Sequence, residues 1–358
     1  MLKEGASPAR VREETGHVAA VAGVSLDIPQ GEVFVVMGLS GSGKSTLIRC
    51  VNRLLEPTDG EVVVDGETVT EYDLQQVRQF RREKTSMVFQ HFALFPHKSV
   101  LDNVAYGLKV QDVAEEKRNE RAMEALRLVG LADWGDRYPH NLSGGMQQRV
   151  GLARGLATDP DILLMDEAFS ALDPLIRRQM QNELLSLRLG SRVMIMKEGK
   201  VIQVGTPTEI VTEPADQYVA DFMADVDHAK VLPTSFAMRE VATFAADASV
   251  AEAADTIRSR GSCFLVDDNK QPVGLVTADA VDGATGSLRA IATQHFPVAS
   301  DTARIAELFH LASEGRPIAV VDEEDRRLLG SVSPYEILRV LGEVEVVDYA
   351  PQTTEETR

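Results

Sequence analysis

GLSGSGKS, residues 38–45, decides the fold. It follows the β-rich run VFVVMG (33–38) and leads into STLIRCVNRLL (45–55), which reads as a helix. A G-x-x-x-x-G-K-[ST] string between a strand and a helix forms a phosphate-binding loop. Glycines at 38, 41 and 43 let the backbone turn its N–H groups inward with no Cβ in the way. The helix starting near Lys44 points its positive end at the same hollow. The candidate nucleotide contacts are Gly38, Ser40, Gly41, Ser42, Gly43, Lys44, Ser45 and Thr46. Among them Lys44 reaches the β- and γ-phosphates and the Ser45 hydroxyl ligates Mg²⁺. A plain Gly/Ser loop with an incidental lysine is the simpler reading, and the strand–loop–helix context argues against it.

Working outward, DILLMD (161–166) has the pattern of a fully buried strand. Asp166 at its end is a second candidate Mg²⁺ ligand, through water, and Glu167 is placed to polarise an attacking water. Alone, the pair is an ordinary strand-end cap; beside the phosphate loop it reads as catalytic. Gln90, in MVFQHFALFPH (87–97), is the third candidate ligand and a sensor of the attacking water. The apolar Phe92, Leu94 and Phe95 after it, with Pro96 and two histidines, suggest an exposed docking surface. LSGGMQQR (142–149) places Ser143, Gly144 and Gly145 at a helix start, a second anion cradle. By itself that is a serine N-cap. With the other motifs present, one chain carries two half-sites for one phosphate group, which implies two copies head-to-tail with two ATP molecules between them.

Composition narrows the class. At 358 residues the chain has room for two domains, and 44% hydrophobic content suits a soluble protein. No apolar run approaches the roughly 18 residues needed to span a membrane. MLKEGASPARVREETG (1–16) has no apolar signal region, so a cytosolic location is expected. A net charge of −18 argues against nucleic-acid partners. The two cysteines, Cys50 and Cys263, are expected to be buried thiols rather than a disulfide or metal site.

The chain alternates strand and helix patterns from about 18 to 210, implying an α/β sheet with helices on its faces. Past about 225 the texture changes. CFLVDDNKQPVGLVTADAV (263–281) and PIAVVDEEDRRLLGSVSPYEIL (317–338) both read strand, turn, strand, helix, each after a helical pattern. This is one supersecondary unit used twice. The acidic residues from 345 on read as a tail without a core.

These motifs resemble the ATP-binding subunits of ABC transporters, and more narrowly the branch serving glycine betaine, proline betaine and related quaternary amines. The likeness rests on VVMGLSGSGKSTLIRCVNRLLEPTDGEV, LSGGMQQRVGLARGLA, ILLMDEAFSALDPLIRRQMQNEL and the paired CBS-type repeats. It implies a P-loop NTPase domain with a RecA-like sheet, antiparallel β and helical subdomains, then an α+β tandem CBS module. The implied limits are 1–224, 225–286 and 287–344, with a tail at 345–358. The resemblance makes Gly38–Thr46 the Walker A loop, Asp166 the Walker B aspartate, Glu167 the catalytic base and Gln90 the Q-loop glutamine. It makes Leu142–Gln147 the signature, Ser170–Asp173 the loop meeting the other subunit, and Phe89–Lys98 the seat of a membrane permease. ATP and Mg²⁺ are the implied cofactors. The implied partners are a second copy, the permease and, indirectly, a substrate-binding protein, at the cytoplasmic face of the inner membrane.

Two departures stand out. In the family, a further core strand ending in a switch histidine follows the helix after Ser170–Asp173. Here QNELLSLRLGSRVMIMKEGKVIQVG (181–205) runs directly into a later hairpin, joined near Leu187–Arg188, and no histidine lies between His140 and His228. Either the sheet closes up with Val193–Met196 in the gap or two strands lose a neighbour. Nucleotide binding is then expected to outlast hydrolysis, and an ATPase-impaired variant or regulatory nucleotide-binding subunit is the alternative reading. The family's opening strand and adenine-stacking aromatic are also unmatched, the nearest ring being His17. In the repeats, Thr277 lacks the acidic partner that nucleotide-binding CBS units carry three residues on (Ala280), whereas Ser333 has Glu336.

Overall fold

The computed structural model describes residues 8–89, 92–166 and 192–345. They fall into two bodies: one holds the described residues up to 166 together with 194–204, the other Arg192–Val193 and everything from Gly205 on.

In the first body the order is α1 (Pro8–Thr15), β1 (Phe34–Met37), α2 (Lys44–Val51), β2 (Val63–Val64), β3 (Glu67–Thr68), α3 (Leu74–Glu83) and β4 (Thr85–Val88). Then come α4 (Val100–Val110), α5 (Glu115–Leu128), α6 (Gly144–Ala157), β5 (Ile162–Met165), β6 (Arg192–Lys197) and β7 (Lys200–Gly205). β2 and β3 form a hairpin across Asp65 and Gly66, both at positive φ (52° and 82°), the geometry a two-residue turn needs to follow strand twist. The helices α4, α5 and α6 pack on one another around Val104, Leu108, Leu126, Leu131, Val150 and Ala153. Their ends are well signalled. Ser99 caps α4 by accepting the Asp102 N–H, and α5 has Glu115 and Glu116 in its first turn and Arg127 in its last, matching the helix dipole.

The sheet is in two pieces. One has the order β1-β6-β7; in the other, β4 and β5 run parallel in register from Thr85↔Ile162 to Val88↔Met165. Among the described residues β6 pairs with β1 and β7 and does not join β5, so Val193–Met196 do not fill the gap expected between β1 and β5. They are fully buried where they are. The gap also corrects the reading of DILLMD as a fully buried strand: Ile162, Leu163 and Leu164 are half-buried and Met165 is exposed. Among the described residues β5 pairs with β4 alone.

The second body begins with α7 (Pro207–Thr212) and α8 (Gln217–Met223). Its core is a duplicated unit. β8 (Ala242–Ala245), α9 (Val250–Arg260), β9 (Ser262–Val266) and β10 (Pro272–Thr277) give a sheet ordered β10-β9-β8. β11 (Val298–Ser300), α10 (Ile305–Ala312), β12 (Ile318–Val321) and β13 (Leu328–Val332) give β11-β12-β13, and α11 (Pro334–Glu345) follows. In both units the first pairing is parallel and the second antiparallel. The repeat read from the sequence is therefore present in the topology. The two sheets share a core of Phe264, Leu275 and Ala319, and Gln271 donates to the Asp325 carbonyl at 2.8 Å across the two hairpin turns.

Candidate nucleotide site and the docking loop

The loop 38–43 is held by close backbone packing. Gly38 has φ 149°, and a Cβ there would lie 2.3 Å from the Met196 carbonyl oxygen. Gly43 has φ 100°, and its Cβ would lie 2.3 Å from the Ala20 carbonyl oxygen. Only glycine fits either place. Buried Ser42 accepts the Gly199 N–H at 3.0 Å, tying the loop to the turn between β6 and β7. α2 starts at Lys44 with Gly43 as a left-handed N-cap, so no side chain caps its leading amides. Lys44 Nζ folds back over the loop, donating to the Gly38 carbonyl at 2.8 Å and the Leu39 carbonyl at 2.9 Å. Ser40 is exposed, while Ser45 and Thr46 are half-buried in the first turn of α2.

Asp166 sits where β5 ends, its N–H still bonded to the Val88 carbonyl. Its side chain is 1% exposed. Oδ2 accepts from Arg49 Nε at 3.1 Å and Nη2 at 2.8 Å, while Oδ1 is buried with no partner among the described residues. Arg49 lies one turn beyond Ser45 on α2, so both occupy one helix face. A hard cation held mainly by phosphate oxygens and water needs few protein ligands, and a hydroxyl with a carboxylate is a suitable set for Mg²⁺. The orphaned Oδ1 fits that use. Gln90, Glu167, Ser170–Asp173 and the junction near Leu187–Arg188 lie outside the described residues.

The second cradle heads a different element. Ser143 caps α6, its Oγ accepting the Met146 N–H at 3.4 Å, so the N-cap reading and the helix start are both present. Among the described residues nothing lies within 4 Å of the Cβ positions at Gly144 and Gly145. Gln147 points backward, donating to the Pro139 and Leu142 carbonyls.

The 92–98 stretch differs from the exposed apolar loop expected. Phe92, Leu94 and Phe95 are half-buried; Leu94 packs on the α4–α6 core, and Phe95 lies 4.6 Å from the Tyr106 ring. Phe92 and Ala93 are both left-handed (φ 58° and 47°), and Arg154 of α6 holds their carbonyls at 2.8 and 2.7 Å. Burial lowers the Arg154 pKa. Fully buried Asn103 fixes the far end: it accepts the Phe95 N–H at 2.7 Å and donates to the carbonyls of Phe95, Lys98 and Ser99. Sequence reading missed Arg49, Arg154 and Asn103. Only Arg49 carried a legible signal, its four-residue spacing from Ser45.

Two smaller expectations change. Cys263 is buried as expected, but Cys50 is only half-buried. Glu336 is engaged within its own turn: it accepts the Ser333 N–H at 3.0 Å and bonds the Ser333 hydroxyl, so the pair caps α11. His17 is exposed, a ring nitrogen 3.0 Å from the Thr15 carbonyl.

Residues 21–170 match the family described as ABC transporter, and 234–283 match the CBS domain. Over 351 aligned positions the chain is 44% identical to the glycine betaine transport ATP-binding protein OpuAA of Bacillus subtilis (strain 168), covering 91% of this chain and 84% of that protein. The chain belongs to the ABC transporter ATP-binding proteins. This ABC protein is also 42% identical to the glycine betaine/carnitine transport ATP-binding protein GbuA of Listeria monocytogenes, over 97% of this chain and 94% of that one. To ProV of Escherichia coli (strain K12), a glycine betaine/proline betaine transport system ATP-binding protein, it is 41% identical over 95% and 92%. The GbuA alignment runs over 374 positions, more than the 358 residues of this ABC protein, so GbuA has residues with no counterpart here. No helix among the described residues is long and apolar enough to cross a membrane.

Proposed function

We propose that this chain is the ATP-binding and ATP-hydrolysing subunit of an importer of glycine betaine, proline betaine or a related quaternary amine. It drives a separate membrane permease from the cytoplasmic face, and a substrate-binding protein delivers the solute. The observation that carries this reading is the convergence of the glycine loop, α2 and the orphaned Asp166 oxygen, in a chain alike over nearly its whole length to subunits named for betaine transport. In this reading Gly38–Thr46 hold the triphosphate, with Lys44 on the β- and γ-phosphates. Ser45, Asp166 and Gln90 hold Mg²⁺, which when bound offsets the charge of the phosphate oxygens. Glu167 orients the attacking water, and Ser143, Gly144 and Gly145 of a second copy close over the γ-phosphate. The ATP-binding part is 1–224; the CBS repeats at 225–286 and 287–344 regulate it, and 345–358 is a tail.

The test is thermal unfolding of the purified chain with and without Mg-ATP. A ligand that binds only the folded state raises the midpoint, by about 2.7 kcal/mol of stability at a hundred times its Kd. Lys44→Met is expected to remove that rise while leaving the midpoint without ligand unchanged. A chain that shows no rise, or a variant that keeps it, overturns the nucleotide reading. Betaine uptake into vesicles holding the assembled transporter then tests the solute.

A further inference from the structure

The Asp166 side chain is almost wholly buried, and the guanidinium of Arg49 grips it. The grip is one-sided: both Arg49 nitrogens bond Oδ2, and Oδ1 is left without a partner among the described residues. A carboxylate free to rotate offers either oxygen; one held by a planar fork offers one, in a fixed direction. The fork stands on α2, four residues after Ser45 and five after Lys44. A single helix therefore carries the phosphate-gripping lysine, the candidate Mg²⁺-ligating hydroxyl and the side chain that aims the carboxylate. β1 and β5 do not pair with each other among the described residues, so no shared ladder sets the distance between their ends. The Arg49–Asp166 bond supplies a link there.

We infer that Arg49 is a positioning residue of the Mg²⁺ site: it fixes the Asp166 carboxylate and presents Oδ1 toward the hydrated metal that accompanies the nucleotide. The inference rests on the nucleotide reading above. Groups that orient a metal ligand typically contribute 10- to 100-fold to metal affinity.

The experiment measures binding of trinitrophenyl-ATP to the full chain in excess Mg²⁺ and again in EDTA, for the wild type, R49M and R49K. The readout is the gain in affinity that Mg²⁺ brings, not turnover. R49M is expected to lose about tenfold of that gain while its affinity in EDTA, set by Lys44 and the loop amides, stays at the wild-type value. R49K keeps the charge without the fork and falls between. If R49M binds nothing even in EDTA, its fold is disturbed and R49K decides: a reduced gain supports the inference, and a wild-type gain overturns it. An R49M that folds and keeps the full gain, or a wild type indifferent to Mg²⁺, also overturns it. A wild type that binds nucleotide in neither condition removes the nucleotide reading, and this inference with it.

Discussion

Asp166, Arg154 and Cys263 are each withdrawn from water, and each is handled by different chemistry. Asp166 is paired with Arg49 at 2.8 Å. Arg154 donates to two loop carbonyls, and burial lowers its pKa. Cys263 has no charged partner to lean on, and burial pushes its thiol up to about 11. An unfolded thiol titrates near its ordinary value of about 8.5. The folded chain therefore holds this proton more tightly. The resulting stability is complete below about pH 8.5 and is lost as pH rises toward 11. The half-buried Cys50 is raised too, by burial and then by Glu56. A thiol reagent at pH 8 is expected to titrate Cys50 slowly in the native chain and Cys263 only after denaturation. Two native thiols reacting at one rate would contradict the burial of Cys263.

The loop from 92 to 99 shows how an element without regular structure is made definite. Two consecutive left-handed non-glycine residues are unfavourable unless their surroundings hold them, and Arg154 does so at one end. Asn103 makes four backbone bonds at the other. Asn103→Ala would take the side-chain partner from the Phe95 N–H and the Lys98 carbonyl, each costing about 1–3 kcal/mol if nothing replaces the bond, while the Phe95 and Ser99 carbonyls keep the Lys98 and Asn103 N–H groups. With partial rescue by water, a loss of about 2 kcal/mol is expected. Urea denaturation should show it, with faster amide exchange confined to 95–99; a loss below about 0.5 kcal/mol, the size of an ordinary surface change, would show the loop stands without this residue. The same loop marks the limit of what sequence reveals. The phosphate loop, the start of α6 and the duplicated β–α unit were legible because glycine spacing, an N-cap and hydrophobic periodicity are local signals. Arg154 and Asn103 act over 62 and 8 residues, on carbonyls that carry no side-chain signature. Leu94 and Phe95 read as exposed because an apolar loop with proline gives no hint of the helical core beneath it. Ser333 and Glu336 fit the spacing of a nucleotide-binding CBS unit, and the same spacing is that of the helix cap they form.

At the scale of the whole molecule the feature to explain is a sheet in two pieces. β1 carries the phosphate loop and β5 carries Asp166, yet among the described residues each pairs within its own group. A shared ladder would transmit a shift at one end directly to the other; two groups joined by side chains such as Arg49 and Asp166 transmit it less firmly. Gripping the phosphates needs only the loop and α2, which are intact. Hydrolysis needs the water, the metal and the γ-phosphate aligned to a fraction of an ångström. The family resemblance also implies a histidine donor at the γ-phosphate, and no histidine lies between 141 and 227. Losing one donor aimed at developing charge costs about 10²–10³ in rate. The expected outcome is nucleotide affinity of ordinary strength with slow turnover. Inserting at the Leu187–Arg188 junction a strand that ends in a histidine, as the family resemblance implies, is expected to raise turnover about a hundredfold. Nucleotide affinity should change much less. Turnover and affinity are read on the same preparations, with the inserted histidine changed to alanine as a control. If the insertion leaves turnover unchanged while the chain still melts cooperatively, the split sheet is not what limits hydrolysis. If the alanine control works as well as the histidine, the gain comes from closing the sheet and not from the donor.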